Sequence, residues 1–474
     1  MTGWFFTRIA LAALFGVVVG AAIAVRMERN GKERNGRRSR VYWAYSYAGC
    51  IPLFILAVWL LNWAFYGADQ AMDVLLALCF NTFLLLFVYY AILSLLMPWL
   101  RERISGWACV SLWLLPNVLY IIQIQRFAAG MPLFVIVTSG DWAFTLLSIW
   151  LAGCCLLLLY KIAEHLVFRR RILRGAVEAE PVAQALFIEE LELAQFRGRR
   201  PLLLRSGAVA TPLSIGMFRS TLRIVLPERA YSEDELRLVL RHEIVHICHD
   251  DASAKFSLVS VVAMCWFNPL VWLAMSRSAE DLELSCDEAV LFGAPKDERR
   301  RYADLLLSTA GDARGFTTCL SATGRSLRYR LKNVMQPPMK AGGALAIGLA
   351  VFFMLLCFGQ VALAYGGGGV GRDVIFNAHE LSEYRLQDEP GADEEALIEY
   401  LASLELRELT GNYDFDTFDA RHRGFRFEGP QGEVYVGLYD NAVEVLIYSE
   451  DRRLHTYYVP GGVDWELVTA AVGA

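Results

Sequence analysis

Six stretches of the chain are apolar over the length that ~30 Å of hydrocarbon demands of a helix, about 20 residues. They are residues 4–25, 43–65, 72–97, 107–124, 144–167 and 341–364. A sequence built this way cannot hide all its apolar surface in one water-soluble core. The 55% hydrophobic content, 20% charged content and mean hydropathy of +0.36 agree, and they exclude a wholly cytosolic enzyme. Disorder is excluded too, because 27 Phe, 20 Tyr and 12 Trp supply far more burial than low-complexity chains carry. Pro116 and Asn117 interrupt the fourth run, and the apolar stretch at 131–137 reads as a return loop.

Basic residues orient these spans, since Lys and Arg flanks stay on the cytoplasmic side. The cluster at 26–40, Arg101 with Arg103, and Arg169, Arg170, Arg171 with Arg174 fall in alternate connections. The first run is therefore read as an uncleaved anchor rather than a signal peptide, with the N-terminus outside. Residues 168–340 form one cytoplasmic block, and the last span at 341–364 carries 365–474 to the outer side. That terminal segment holds 22 Asp and Glu against 8 Arg and no Lys, a balance of −14. The net charge of −5 therefore leaves +9 for residues 1–364. The ten cysteines stop at Cys357 and form no CxxC pair, so they read as buried, reduced thiols and not as a zinc knuckle.

The chemistry lies in Arg241-His242-Glu243-Ile244-Val245-His246. A helix is expected from Ser232, a good N-cap, with Glu235 three residues on to close a capping box. Four residues is just over one turn, so His242 and His246 share a face where two imidazoles can hold one Zn²⁺. Glu243 lies between them, placed to take a proton from water. Two histidines leave a site incomplete, and Glu283, with Asp287 on the same helical face, is the candidate carboxylate ligand. Asp287 is then a candidate to orient a histidine from behind. His249 departs from the ligand pattern and is read as a surface or supporting residue.

Between the two elements, residues 252–275 are apolar enough to be a seventh span. A single crossing would carry Glu283 to the opposite side from His242 and His246. Asn268-Pro269 interrupts the run, so a membrane-dipping or protein-buried hairpin is expected, shielded by other protein.

These residues resemble the integral-membrane zinc metallopeptidases of the BlaR/MecR type. The likeness covers roughly 145–340 and rests on ordered motifs: Thr211-Pro212-Leu213-Ser214-Ile215-Gly216, Ile224-Val225-Leu226-Pro227, His242 to His246 with Asp251, and Trp266-Phe267-Asn268-Pro269-Leu270. Glu283-Leu284-Ser285-Cys286-Asp287, Tyr302-Ala303-Asp304-Leu305-Leu306 and Arg328-Tyr329-Arg330-Leu331 follow. The resemblance implies a polytopic α-helical membrane protein with a cytoplasmic α+β gluzincin-like protease domain and a small extracytoplasmic α+β domain. One Zn²⁺ per chain would be held by His242, His246 and Glu283, with Glu243 as general base and Asp251, which matches a family acid, bracing a ligand histidine. It implies a multi-pass protein of the bacterial inner membrane that cleaves a protein, a DNA-binding repressor or the chain itself, on an outside signal. The lipid bilayer is a partner, direct nucleic-acid binding is not expected, and a homodimer is an open possibility. Two rivals stay open, a non-proteolytic transducer with a structural metal and a constitutive quality-control protease.

The sequence departs from the best-known members in having more spans before the protease and a short outer segment. A β-lactam sensor also needs a Ser-x-x-Lys pair, and 365–474 has no lysine, so penicillin sensing is not carried over. That segment is expected to open with a hinge at 366–369, continue through an acidic helix over 393–409, and form strands at 433–439 and 443–448 joined at Asp440-Asn441. Ile224, Val225 and Leu226 are expected on an edge strand that pairs with an extended substrate. Tyr302 is a candidate oxyanion stabiliser.

Overall fold

The computed structural model describes residues 2–33, 51–120, 134–137, 142–196, 198–216, 221–310, 324–337, 340–357, 360–364, 368–387, 389, 391–409, 421–448 and 454–473. Helices α1 (Thr2–Glu33), α2 (Ile51–Tyr66), α3 (Ala68–Leu100), α4 (Gly106–Leu114) and α5 (Trp142–Leu173) come first. Among the described residues, three helices are long and apolar enough to cross a membrane, over Phe6–Val25, Cys79–Leu100 and Thr145–Leu173. Two of the expected six spans contain shorter apolar helices among the described residues, Ile55–Phe65 and Ala344–Cys357, and residues 43–50 of the second span lie outside the described residues. The fourth is not a continuous helix. It is the nine-residue α4 followed by a 3₁₀ helix over Leu115–Tyr120, and residues 121–124 lie outside the described residues. Pro116 explains the change of winding, and Tyr89 and Tyr90 of α3 donate to the carbonyls of Leu112 and Trp113 beside it.

The last run also departs from expectation. Its helix α12 (Ala344–Cys357) gives way to a strand, β6 (Val361–Ala364), which pairs in parallel with β1 (Phe134–Val137). Residues 134–137, expected in a return loop, are therefore a strand; 131–133 lie outside the described residues. Helix α12 lies against α1, where Gly16 and Gly348 approach so closely that a Cβ on either would sit 2.7 Å from the other's carbonyl oxygen.

A four-stranded sheet follows α5, in the order β2 (Val177–Glu178), β3 (Leu202–Arg205), β5 (Arg223–Leu226), β4 (Leu213–Ile215). Helix α6 (Pro181–Leu193) and helix α7 (Glu233–His249) share a core with it, through Leu186, Phe187, Leu203, Ile224, Leu226, Leu240 and Ile244. The sequence reading put Ile224, Val225 and Leu226 on an edge, and this is corrected here. β5 pairs with β3 on one side and β4 on the other, and the three side chains have no exposed surface.

Helix α8 (Asp251–Met264) and helix α9 (Pro269–Val290) make up the apolar 252–275 stretch, and the chain reverses between them. The turn at Cys265–Asn268 packs against α3 and α5, although Phe267 stays half exposed. Trp150 of α5 donates to the Met264 carbonyl at 2.6 Å, Phe83 of α3 meets Phe267 at 5.2 Å between ring centroids, and Asn268 caps α9 by accepting from the Leu270 N–H. Fourteen helical residues rise about 21 Å, so the tip lies well away from the ends that carry His246 and Glu283. Helices α10 (Lys296–Ala310) and α11 (Gly324–Met335) complete this region before α12.

Beyond β6 the elements are β7 (Gly369–Val370), α13 (Gly371–Val374), β8 (Arg385–Leu386), α14 (Glu394–Ser403), β9 (Glu405–Glu408), β10 (Arg423–Gly429), β11 (Gly432–Leu438), β12 (Ala442–Ile447), β13 (Leu454–Tyr458) and α15 (Trp465–Val472). They form a seven-stranded antiparallel sheet in the order β7-β9-β13-β12-β11-β10-β8. Phe425, Phe427, Val434, Val436 and Val445 pack with Leu397, Leu401 and Val468 of α14 and α15. The helix expected over 393–409 ends at Ser403, and the chain then joins the sheet as β9. Of the expected hinge at 366–369, residues 366 and 367 lie outside the described residues.

Candidate metal centre

Helix α7 begins as its sequence dictates. Ser232 Oγ accepts from the Glu235 N–H and Glu235 Oε2 accepts from the Ser232 N–H at 2.8 Å, while Glu233, Asp234 and Glu235 face the positive end of the helix dipole. Its other end turns sharply, because Asp250 adopts a left-handed conformation (φ 57°), which Asp tolerates better than most residues. That corner brings Asp251, the first residue of α8, back onto His246, with Oδ2 2.6 Å from Nδ1.

His242 and His246 present Nε2 to Nε2 at 3.1 Å, with their rings perpendicular. From α9, Glu283 places Oε2 3.5 Å from His242 Nε2 and Oε1 3.6 Å from His246 Nε2. Donors bound tetrahedrally at about 2.1 Å lie about 3.4 Å apart, so the three spacings fit one zinc-sized ion. Burial alone would raise the Glu283 carboxyl. The neighbouring His246 and His242 and the nearby Arg330 more than reverse this and hold it well below the ordinary carboxylate range. Glu243 is buried on the turn between the two histidines.

Both rings are fixed from behind. Asp251 accepts from His246 Nδ1. Burial would raise this acid, yet the hydrogen bond from His246 holds it below its ordinary value. Asp287 does not touch His242 directly, lying 3.7 Å from Nδ1, and acts through Tyr302. The Tyr302 hydroxyl donates to Asp287 Oδ1 at 2.6 Å and lies 2.9 Å from His242 Nδ1. A phenol has one proton; giving it to Asp287 leaves the oxygen to accept from Nδ1–H. Each ring thus carries its proton on Nδ1 and points an Nε2 lone pair at the space shared with Glu283. This geometry places Tyr302 behind His242, away from the face where an oxyanion would form, so the expected oxyanion role does not fit.

Three residues here had no assigned role in the sequence reading. Arg330 of α11 is partly buried and forks onto Asp287, with Nε–Oδ2 and Nη2–Oδ1 both at 2.7 Å, and places Nη1 3.3 Å from Glu283 Oε2. Lys255 Nζ lies 4.0 Å from Glu283 Oε1. Cys286 Sγ lies 3.2 Å from both Asp251 Oδ2 and His246 Nδ1. His246, Asp251 and Cys286 are close enough to hold an ion, but burial and Asp251 push this thiol well above its ordinary value. In this arrangement its S–H donates to Asp251 Oδ2. His249, expected at the surface or in support, is buried, 3.8 Å from the same sulfur. The available signal was the α9 acid pair itself, since two carboxylates one turn apart, one of them buried, call for a cation.

Residues 117–334 match the family described as BlaR1 peptidase M56, a stretch that contains every residue of this centre. The regulatory protein BlaR1 of Bacillus licheniformis is 26% identical over 185 residues, 39% of this chain and 30% of that protein. The methicillin resistance mecR1 protein of Staphylococcus aureus is 25% identical over 176 residues, 36% of this chain and 29% of that protein. The protein of the same description from Staphylococcus epidermidis aligns with the same figures. The chain thus spans about a third or less of the length of these relatives. The family match implies a metallopeptidase, and with the apolar helices it points to a membrane protein carrying an M56 peptidase domain. Residues 365–474 lie outside the family match.

Proposed function

We propose that the chain is a multi-pass zinc endopeptidase of the bacterial inner membrane, with its metal centre on the cytoplasmic side and residues 365–474 on the outside. The observation that carries the reading is the triangle of donor atoms on His242, His246 and Glu283, 3.1 to 3.6 Å on a side, with Glu243 beside it. The orientation rests on the basic flanks. Arg101 and Arg103 follow α3 and Arg169, Arg170 and Arg171 end α5, and Arg101 pairs with Asp281, two residues before Glu283. The α8–α9 hairpin would enter the bilayer from that side and return, its turn shielded by α3 and α5 as irregular backbone at that depth requires.

Zinc bound there supplies a water whose pKa is lowered to about 7 and polarises a peptide carbonyl. The residues of the chain do the rest. His242 and His246, their Nδ1 protons held by Tyr302 and Asp251, keep both Nε2 atoms aimed inward without rearrangement. Glu243 takes the proton of the attacking water and returns it to the leaving amine. Of the two edge strands of the described sheet, β2 and β4, β4 is the one next to β5, the strand that leads into α7. An extended substrate would therefore add to Leu213–Ile215 and not to Ile224, Val225 and Leu226, leaving a row of backbone hydrogen bonds to hold it.

The substrate is a cytoplasmic or membrane-proximal protein, and a DNA-binding repressor or the chain itself is the class that the relatives' printed roles in regulation and resistance favour. The C-terminal domain, joined through α12, is the part placed to receive a signal from outside. The test is cleavage of a co-expressed candidate repressor by wild-type chain and by Glu243→Gln. Loss of cleavage with zinc still bound is expected. A Glu243→Gln protein that cut at the wild-type rate would overturn the reading and favour a transducer with a structural metal.

A further inference from the structure

We infer that Arg330 is a positioning residue through which α11 sets two of the three metal-binding side chains together. The inference rests on the reading that His242, His246 and Glu283 hold one zinc ion. One guanidinium makes the connection. Its Nη1 lies 3.3 Å from Glu283 Oε2, and its Nε and Nη2 grip Asp287. Asp287 takes the Tyr302 proton, and Tyr302 holds His242 Nδ1. Glu283 is thus reached directly and His242 through two intermediates, while the third side chain, His246, is held by Asp251 on α8.

Fork geometry matters because a planar guanidinium fixes the plane of the carboxylate it pairs with, which a point charge does not. Asp287 is only 2% exposed. Without Arg330 it would keep only the Tyr302 hydroxyl against a full buried charge, so both the carboxylate and the phenol would have to shift.

The position of α11 gives the contact a second meaning, since it is the last element before α12. Tyr329, the neighbour of Arg330, donates to the Arg101 carbonyl at the end of α3 at 3.1 Å. Past α11, Lys340 binds Glu288 of α9 at 2.7 Å, the Ala341 N–H donates to the Arg103 carbonyl at 2.8 Å, and the Ser105 N–H donates to the Ala341 carbonyl at 3.0 Å. Gly106 lets α4 lie directly on α9, where a Cβ would fall 2.9 Å from Ser285 backbone atoms. The ends of α3, α9, α11 and α12 are therefore tied in one knot. Arg330 therefore sits between the start of α12 and the side chains of Glu283 and Asp287.

The experiment measures zinc affinity of the full-length chain in detergent, at fixed pH, by competition with a chromophoric chelator. The variants are Arg330→Met, Arg330→Lys, Asp287→Asn and the double variant Arg330→Met with Asp287→Asn. Loss of a group that orients ligands weakens metal binding about 10–100-fold, which is the expectation for Arg330→Met, with Arg330→Lys intermediate. The double variant should bind no more weakly than the weaker single one, because both act on the same path. Wild-type affinity in Arg330→Met, or losses that add in the double variant, would overturn the inference. If Arg330→Met fails to fold, wild-type affinity in Arg330→Lys overturns it instead. A wild-type chain that binds no zinc would sink the reading of the site itself, an outcome distinct from a metal-binding wild type with indifferent Arg330 variants.

Discussion

The region around α7 and α9 and the sheet domain after residue 368 bury different things. In the sheet domain the fully enclosed side chains are Phe376, Phe425, Phe427, Val434, Val436 and Leu438, and among the described residues its buried polar groups are Glu444 and Thr456. In the helical region Glu243, His246, His249, Asp251, Ser278, Asp281, Ser285 and Asp287 are all buried, interleaved with Leu240, Ile244 and Leu282. Burying a carboxylate costs several kcal/mol unless a partner offsets it, and apolar replacements of such pairs often gain stability. Asp281 has Arg101 and Trp113, Asp287 has Arg330 and Tyr302, and Asp251 has His246. One region is arranged for cohesion. The other gives up cohesion to hold charges at fixed positions.

The sharpest way to separate the two is to change one and watch the other. Glu243→Gln keeps the size of the side chain and removes its basicity. Cleavage should fall about 10²–10⁴-fold, the usual worth of a general base, with unfolding of the sheet domain unchanged by calorimetry. The reverse experiment is Phe427→Ala. It removes a ring packed against Phe376, at 5.9 Å between centroids, and should cost the sheet domain about 3–5 kcal/mol. Zinc affinity should stay at the wild-type value. A change in zinc affinity in Phe427→Ala would show the two regions to be one cooperative unit.

A smaller effect sharpens the contrast inside the helical region. Asp251→Asn leaves the volume of the side chain nearly unchanged but lets the amide group face His246 Nδ1, spoiling the tautomer that aims Nε2 inward. Zinc affinity in the chelator competition should fall about 10–100-fold. Cys286→Ala, in contact with the same pair, should change it far less, since a thiol that stays protonated adds only a weak hydrogen bond. Equal losses would mean that the sulfur is a ligand and that the second cluster binds metal.

What could be read from the sequence follows the same division. Local features were legible: the Ser232 and Glu235 capping box, the shared face of His242 and His246, the break at Asn268-Pro269, and the two strands that meet at Asp440-Asn441. Each depends on residues within about one turn or one hairpin of each other. The errors all concern neighbours distant in sequence. Ile224, Val225 and Leu226 look the same in an edge strand and an internal one, and only the pairing with β3 and β4 decides. Apolar residues over 107–124 suit both a lipid-facing helix and the buried α4, which lies on α9 because Gly106 allows it. Tyr302 has the right chemistry for an oxyanion contact but approaches His242 from Nδ1. The role of Arg330 was hidden because its partners Asp287 and Glu283 lie more than forty residues earlier.

The start of α7 provides the smallest test, and one with a defined pH signature. Ser232→Ala removes the side chain that accepts from the Glu235 N–H and should cost about 1 kcal/mol of stability in the helical region. The returning half of the box is Glu235, whose carboxyl is held below its ordinary 4.5 by the Ser232 N–H first and the Ser232 hydroxyl second. A carboxyl lowered by folding contributes stability above its unfolded value and loses it as pH falls through the folded one. Glu235→Gln should therefore be less stable than wild type near neutrality, and the gap should close only as the pH drops below about 4.5. The sheet domain has no part in this box, so its transition should move identically in both proteins. A gap that stayed constant down to pH 3 would show that the helix start depends on packing and not on the charge of Glu235.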